Sequence, residues 1–256
     1  MRGLSDKVVV VAGGGSGIGA ATARRLGAEG AAVVVGDLQG DNANAVASEV
    51  RDAGGRAIAV QFDISDDASV AALVAAAVGE YGAVDAMHAN AADLSPDTIG
   101  RDTNALDVPL DVFDHTLAVN LRGHLLCTRH ALPHLLERGG GALVYTSSAA
   151  GHIGEPERPS YAASKAGINS LVRHVASHWG RQGIRANSIA PGLVVTPAMD
   201  TSLAPEFRDF ALRVGRSPRL GRPDDIAGMV AFLVSDDGEW VNGQVLSVDG
   251  GASMRP

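Results

Sequence analysis

Short, wholly apolar runs recur along this 256-residue chain and limit its fold more than any other feature. The clearest runs occupy residues 8–11, 32–35, 57–60 and 142–145. Runs this short, apolar at every position, indicate strands buried on both faces, as in a parallel sheet. Helical stretches are expected at residues 19–29, 42–53 and 66–78, with Ser65 as the expected N-cap of the third.

The alternation continues to the end of the sequence. Further strands are predicted at residues 84–88, 184–189 and 245–248, and further helices at 110–137, 161–179 and 224–235. This order predicts an α/β fold: a doubly wound, Rossmann-like parallel sheet in three layers. No change in composition marks a linker, so residues 1–256 are expected to form a single domain. Segments 91–109 and 191–218 are predicted to be irregular and to lie where such sheets bind ligands.

Composition and charge exclude several classes of function. The net charge is −8 without a strongly basic face, so nucleic acid is not an expected partner. Cys127 is the only cysteine, which favours a reducing compartment and a cytoplasmic location. No apolar run approaches the roughly 20 residues that span a bilayer, and residues 1–7 lack the apolar stretch of a signal peptide. We therefore expect no membrane partner.

A glycine-rich segment, AGGGSGIG at residues 12–19, joins the first strand to the first helix. Glycines let the backbone turn sharply and approach a pyrophosphate, which the N–H groups of the helix N-terminus then bind. Taken alone, the glycines also fit a plain tight turn. Asp37, at the end of the second strand, has the position of a carboxylate that binds ribose hydroxyls, although it also fits a simple turn residue. Asp37 and Ser16, which replaces a cation for a 2′-phosphate, favour NAD over NADP.

Tyr161 and Lys165 lie four residues apart at the start of a predicted helix. This spacing places an ammonium beside a phenol, and a nearby cation is expected to lower the tyrosine pKa towards working pH. A general acid or base works best with such a pKa. The alternative is a surface tyrosine near a solvated lysine. With three tyrosines and two lysines in the chain, chance would produce this spacing roughly 0.02 times.

Over nearly its whole length the chain resembles the short-chain dehydrogenase/reductase family. The family's glycine pattern matches residues 12–19, with Ala12 in place of threonine, and its Tyr-x-x-x-Lys motif matches Tyr161 and Lys165. Its other motifs fall on Asn90, Asn120, Ser148, Pro191-Gly192 and Thr196, and its last strand on residues 243–251. Ala92 replaces a family glycine, which leaves the local backbone geometry open.

The resemblance implies a role for each motif residue. Tyr161 would move the proton of the substrate oxygen, Ser148 would bind that oxygen, Lys165 would tune Tyr161, and Asn120 would support a relay water. The expected cofactor contacts are Gly13, Ser16, Gly17, Ile18, Gly19, Asp37, Leu38, Asp63, Ile64, Asn90, Tyr161, Lys165, Pro191, Gly192, Val194 and Thr196. Three of the residues named in this paragraph also fit a purely structural role: Ser148 fits a turn residue, Asn120 a buried amide and Asp63 a loop cap.

The leading hypothesis is an oxidoreductase that transfers a hydride between NAD(H) and a small secondary alcohol or ketone. The alternatives are an NADPH-dependent ketoreductase of the 3-oxoacyl type and a non-catalytic NAD-binding scaffold. The resemblance also implies a homotetramer that pairs helices 110–137 and 161–179. A substrate loop is expected at about residues 193–215, with residues 152–159 and 93–106 as candidate pocket edges. Segment 91–109 either borders this pocket or elaborates the surface.

No metal site is predicted. His130 and His134, like His174 and His178, have the four-residue spacing of zinc ligands on a helix. Pro133 interrupts the first pair, and neither pair has an obvious third ligand. A solvated or interface helix face is the expected role for both pairs. Cys127 is expected to be a small residue of the apolar core.

Overall fold

Within the described residues, seven parallel strands form one sheet in the order β3-β2-β1-β4-β5-β6-β7. The computed structural model describes residues 1–196, 199 and 204–254, without the side chain of residue 207. Residues 197, 198 and 200–203 of the expected substrate loop therefore lie outside the described part. The strands are β1 Val8–Ala12, β2 Ala32–Asp37, β3 Arg56–Gln61, β4 Ala86–Ala89, β5 Gly141–Thr146, β6 Ile184–Pro191 and β7 Val245–Val248.

Helices connect these strands. They are α1 Gly17–Ala28, α2 Gly40–Asp52, α3 Asp67–Tyr81, α4 Pro96–Ile99, α5 Leu110–Leu117, α6 Gly123–Glu137, α7 Pro159–Trp179, α8 Pro205–Val214 and α9 Pro223–Val234. A π-helical stretch, Ala118–Arg122, joins α5 to α6 without a break. No helix in the described ranges combines the length and apolar character that crossing a membrane requires.

The four valines of β1 show how the three layers arise. Successive side chains of a strand point to opposite faces, so Val8 and Val10 pack into one core, with α3, α6 and α7. Val9 and Val11 pack into the other, with α1, α2 and α9. Strands covered on both faces must be apolar at every position, which explains the continuous apolar runs. The predicted doubly wound Rossmann-like sheet is confirmed.

Three details of the sequence prediction are wrong. Asp66, not Ser65, caps α3, and its carboxylate accepts a hydrogen bond from the Ser69 backbone at 2.7 Å. Segment 191–218 contains a helix, α8, that begins at Pro205, a residue well suited to the first turn of a helix. The region 110–137 is helical, but it includes the π-helical stretch, which no simple periodicity predicts.

The order of the strands changes direction between β1 and β4. From β1 the chain adds strands outwards to β3, and from β4 it adds strands outwards to β7 on the opposite side. Such a switch point leaves a crevice at the carboxyl ends of the central strands. The glycine segment follows β1, Asn90 follows β4, and Ser148 follows β5. Gly192 follows β6. The topology therefore gathers residues from four distant parts of the sequence at one edge of the sheet.

Candidate active site

The glycine segment turns tightly between β1 and α1. Gly13 has φ of +87°, a left-handed conformation, and its N–H donates to the Gly36 carbonyl at 2.8 Å. A Cβ on Gly19 would lie 1.8 Å from the Gly13 carbonyl oxygen, so only glycine fits there. Ser16 is exposed at the N-cap of α1, and Ile18 is half-buried in its first turn. The turn thus leaves the N–H groups of the helix start accessible to an anion.

Asp37 lies beside this turn at the carboxyl end of β2. One of its oxygens accepts the Gly15 N–H at 2.8 Å and the other accepts the Gln39 N–H at 3.0 Å. A carboxylate offers about four acceptor positions, so both oxygens retain capacity for hydroxyl donors. Asp37 therefore supports the turn and also presents a carboxylate where the adenosine ribose is expected.

Asn90 ties the end of β4 to the glycine turn. Its amide nitrogen donates to the Gly13 carbonyl at 2.9 Å, and its amide oxygen accepts from the Thr146 hydroxyl at 2.8 Å. The His88 ring lies 2.9 Å from the same hydroxyl and donates to it, because Thr146 has already given its proton to Asn90. Burial lowers the pKa of His88 to about 3, so the ring is neutral. This chain of bonds fixes the floor of the crevice.

Tyr161, Lys165 and Ser148 come together as the sequence predicted. The Lys165 ammonium nitrogen lies 5.5 Å from the centre of the Tyr161 ring and 2.8 Å from the Thr146 carbonyl oxygen, to which it donates. Ser148 hydrogen-bonds Tyr161 and caps the turn after β5 by accepting from the Ala150 N–H at 3.2 Å. The serine thus has both the functional and the structural position considered from sequence.

The electrostatics differ from the expectation. Burial raises the pKa of Tyr161 above its usual value, and the hydrogen bond with Ser148 and the charge of Arg158 offset this only in part. Burial also lowers the pKa of Lys165 to about 7, so its ammonium is only partly charged at neutral pH. The predicted lowering of the tyrosine pKa by Lys165 is therefore wrong for this cofactor-free protein. Loss of hydration outweighs the attraction between the two groups.

Asn120 lies in the π-helical stretch and is completely buried. Its amide oxygen accepts the Asp93 backbone N–H at 3.0 Å, whereas its amide nitrogen makes no hydrogen bond to any residue that the structure describes. The His124 ring, one helical turn further, is likewise completely buried. π-helical turns often occur at functional sites because they redirect one side chain. Asn120 combines the buried-amide role with a donor left free for another partner.

Four predicted cofactor positions lie at the end of β6 or just after it: Pro191 ends the strand, and Gly192, Val194 and Thr196 follow. The Gly192 N–H donates to the Val248 carbonyl at 3.3 Å, which fixes the turn after Pro191. Val194 pairs with Gly221 in an isolated bridge. The Thr196 methyl group lies 3.1 Å from where a Cβ on Gly17 would be, so the segment closes over the start of α1.

A cleft of about 660 Å³ opens between the start of α1 and the segment after β6. Its lining includes four arginines that sequence reasoning did not select: Arg24, Arg208, Arg219 and Arg222. Arg219 forms an ion pair with Asp225 at 2.6 Å, and Arg24 forms one with Glu49. Guanidinium groups beside a helix N-terminus favour an anionic ligand. No local pattern marks these arginines, because they come from three separate segments.

The remaining predicted contacts differ in their exposure. Leu38 is 58% exposed, and a buried Ile64 packs against Gly123. The Asp63 carboxylate accepts from the backbone and hydroxyl of Ser65, at 2.8 and 2.7 Å, so it has the loop-capping role weighed from sequence. An adenine contact by Asp63 stays a prediction.

The histidine pairs lie outside this site. His130 bonds Asp67 at 2.8 Å, and His174 and His178 pack around Trp179. The described residues contain no group of three or more His, Cys, Asp or Glu side chains arranged to hold a metal. Cys127 is fully buried, as expected, and burial raises its pKa to about 12.

Comparisons with known proteins agree with this geometry. A family model described as Enoyl-(Acyl carrier protein) reductase matches residues 12–253. Cis-4-hydroxycyclohexanecarboxylate dehydrogenase of Sinomonas cyclohexanicum is 42% identical over 250 residues, covering 97% of both chains. A probable short-chain type dehydrogenase/reductase of Bradyrhizobium diazoefficiens is 43% identical over 250 residues, covering 97% of this chain and 88% of the relative.

A solved structure of similar shape is 7α-hydroxysteroid dehydrogenase complexed with NADH and 7-oxo glycochenodeoxycholic acid. It superposes with a TM-score of 0.91 at 33% identity, over 99% of this chain and 96% of that chain. The chain therefore belongs to the short-chain dehydrogenase/reductase family. The predicted family and its oxidoreductase class are confirmed.

Proposed function

We propose that this protein is an NAD-dependent dehydrogenase/reductase that interconverts a secondary alcohol and a ketone. One observation carries the proposal: Tyr161, Lys165 and Ser148 converge at the crevice that begins beside the glycine turn. Homologues of the chain are named as dehydrogenases of cyclic and steroid alcohols, and the similar solved structure contains NADH. The substrate class is accordingly a small alcohol or ketone, with the carbonyl carbon in a ring as the first choice to test.

The residues present fit an NAD molecule. The absence of a Cβ at Gly19 gives the close backbone approach that a pyrophosphate needs. Asp37 would hold the adenosine ribose and repel a 2′-phosphate, and Asn90 would lie on the adenosine side. Pro191, Gly192, Val194 and Thr196 would border the nicotinamide half. When bound, the cofactor supplies the acceptor or donor of the hydride. The chain is then one cofactor-binding domain with its substrate loop at about residues 193–215.

The side chains divide the remaining chemistry. In alcohol oxidation Tyr161 accepts the hydroxyl proton as the carbinol carbon loses its hydride, and in ketone reduction it returns that proton. Ser148 donates to the substrate oxygen and stabilises the charge that develops there. Lys165 would stabilise the phenolate and, with the cofactor bound, would hold the nicotinamide ribose. Asn120 would orient the group that passes protons to Lys165. Each of these groups lies within the crevice at the carboxyl ends of β4 and β5.

The experiment compares Tyr161→Phe with the native protein on a panel of cyclic secondary alcohols, followed by NADH absorbance. We expect the variant to lose at least about a hundredfold in kcat, the range of a positioned acid or base, and to keep its NADH affinity. Tyr81→Phe is the matched control, because Tyr81 ends α3 away from the site. Retained activity in Tyr161→Phe would contradict the proton-transfer role. A preference for NADP would contradict the cofactor assignment and favour the ketoreductase alternative.

A homotetramer in the cytoplasm is the proposed setting. An apolar groove of about 500 Å³ on the outer face of the helices contains Leu117, Ala118, Leu121, Leu125 and Leu171. Leu125 is exposed and the other three leucines are half-buried, and such an apolar patch favours contact with another chain. The single, buried cysteine suits a reducing compartment.

A further inference from the structure

Arg158 has an unusual backbone conformation immediately before the helix that carries Tyr161. Its φ of +60° places it in the left-handed region, which among the described non-glycine residues only Asp6 shares. Such a conformation persists only when surrounding contacts hold it, and it clusters at functional sites. The question is therefore which contacts hold Arg158 and what its side chain does there.

Segment 91–109 supplies those contacts. The Arg158 N–H donates to the carbonyl oxygens of Asp102 and Thr103, at 2.9 and 3.1 Å. The Asp102 carboxylate, only 2% exposed, then accepts the N–H groups of Ser160 at 3.1 Å and Tyr161 at 2.9 Å. It also accepts the Ser160 hydroxyl at 2.7 Å. One buried carboxylate and two carbonyls thus fix both Arg158 and the first turn of α7.

The Arg158 side chain is directed to Tyr161. Its guanidinium carbon lies 6.0 Å from the centre of the phenol ring, close to the 5.5 Å of the Lys165 ammonium. A guanidinium nitrogen also pairs with Glu155 at 2.8 Å. The charged and titratable groups around the phenol are therefore Arg158, Glu155 and Lys165, whereas the Asp102 carboxylate contacts the Tyr161 backbone. A guanidinium is a cation at working pH as a general property of arginine, whereas burial lowers the pKa of the Lys165 ammonium to about 7.

We propose that Arg158 is a positioning residue for proton transfer, a second cation that segment 91–109 holds beside Tyr161 to stabilise its negative charge. The inference rests on the proposed function, because it takes Tyr161 as the proton acceptor. The electrostatic influences on the phenol agree with this proposal. The charge of Arg158 lowers the pKa of Tyr161, and the charge of Glu155 raises it. Segment 91–109 then supports proton transfer by holding Arg158 in place. The negative charge of the phenol depends less on Lys165, whose ammonium is partly neutral.

The test measures the pH dependence of kcat for alcohol oxidation in Arg158→Asn. Asparagine is neutral and tolerates the left-handed backbone, so the variant keeps the turn. Because oxidation requires the phenolate, loss of the cation should move the acid limb of the pH profile to higher pH by roughly half a unit. The expected shift is modest because the guanidinium is partly exposed to water. Arg158→Lys should return the acid limb to its native position, and Glu155→Gln should move the acid limb to lower pH. Arg129→Gln, an exposed arginine of α6, is the matched control and should leave it unchanged.

A second readout needs no turnover. Tyrosine labelled with 13C at the ζ carbon gives three signals, and the one missing in Tyr161→Phe belongs to Tyr161. In cofactor-free protein, Arg158→Asn should raise the titration midpoint of that signal. A kcat loss in Arg158→Asn without movement of the limb or the midpoint would overturn the proposal in favour of a purely structural role. Failure of the proposed function would instead appear as activity in Tyr161→Phe, whatever the midpoint does.

Discussion

Lys165 illustrates a conflict between stability and function at the scale of one residue. Its side chain is 1% exposed, and its ammonium donates to a single protein acceptor, the Thr146 carbonyl. An ammonium with few partners is costly in a low-dielectric interior, which is why its pKa falls to about 7. A cofactor ribose would give this ammonium further oxygen partners. Under the proposed function, Lys165 serves the reaction at the expense of the free protein's stability.

Replacement of Lys165 by methionine should lower kcat at least about a hundredfold and stabilise the free protein. The native pKa is about 7 and that of the unfolded chain is about 10.4, so between these values the unfolded state binds more protons. Stability of the native protein consequently rises with pH through this window. The gain from Lys165→Met should therefore be larger at pH 6.5 than at pH 9, as measured by urea unfolding.

Lys7→Met is the control for this comparison, since Lys7 is the only other lysine and lies at the surface, 2.8 Å from Asp236. We expect no gain in unfolding free energy from it at either pH. An equal gain from Lys165→Met at both pH values would show that the buried lysine does not titrate in this window.

At the scale of elements, the start of α7 depends on a distant segment. Its N-cap residue, Arg158, makes no side-chain capping bond, so the free N–H groups of the first turn need another acceptor. Asp102 provides it from more than fifty positions earlier in the chain. The same segment donates the Asp93 N–H to Asn120. Segment 91–109 therefore links two elements of the candidate site rather than elaborating the surface.

Asp102→Ala should destabilise the protein by about 1–3 kcal/mol, the usual penalty for unsatisfied buried donors and a lost cap. We also expect a lower kcat with little change in NADH affinity, because the cofactor crevice lies on other elements. Chemical unfolding and steady-state kinetics check the two effects. Asp107→Ala in the same segment is the control, since Asp107 is exposed and its carboxylate accepts from the nearby Asn104 side chain at 2.9 Å. Equal effects of the two substitutions would contradict the capping role.

At the scale of the whole molecule, the apolar groove on α5, α6 and α7 is the surface that best suits assembly. Leu125 is 49% exposed within it, and Leu110 nearby is 76% exposed. These helices also cover one face of the sheet, and one of them, α7, carries Tyr161. Assembly through this face would therefore stiffen the site from outside without contributing to its chemistry.

Leu125→Glu should dissociate the proposed tetramer, because it places a charge in an apolar contact. Light scattering coupled to size exclusion measures the mass directly. Leu106→Glu is the control, since Leu106 is 90% exposed but lies outside the groove. A monomeric native protein, or an unchanged mass for Leu125→Glu, would contradict assembly through this face.

The sequence by itself determined the sheet, the glycine turn and the Tyr161–Lys165 pair. Each depends on local relations: short runs that are apolar at every position, the glycines of the strand-to-helix turn, and four-residue spacing on a helix. Only the tertiary structure decided that Asp102 caps α7, that Arg158 faces Tyr161, and that four arginines share one cleft. It also reversed the expected direction of the Tyr161 pKa. Such properties come from burial and from contacts between distant segments, and neither is written in the spacing of neighbouring residues.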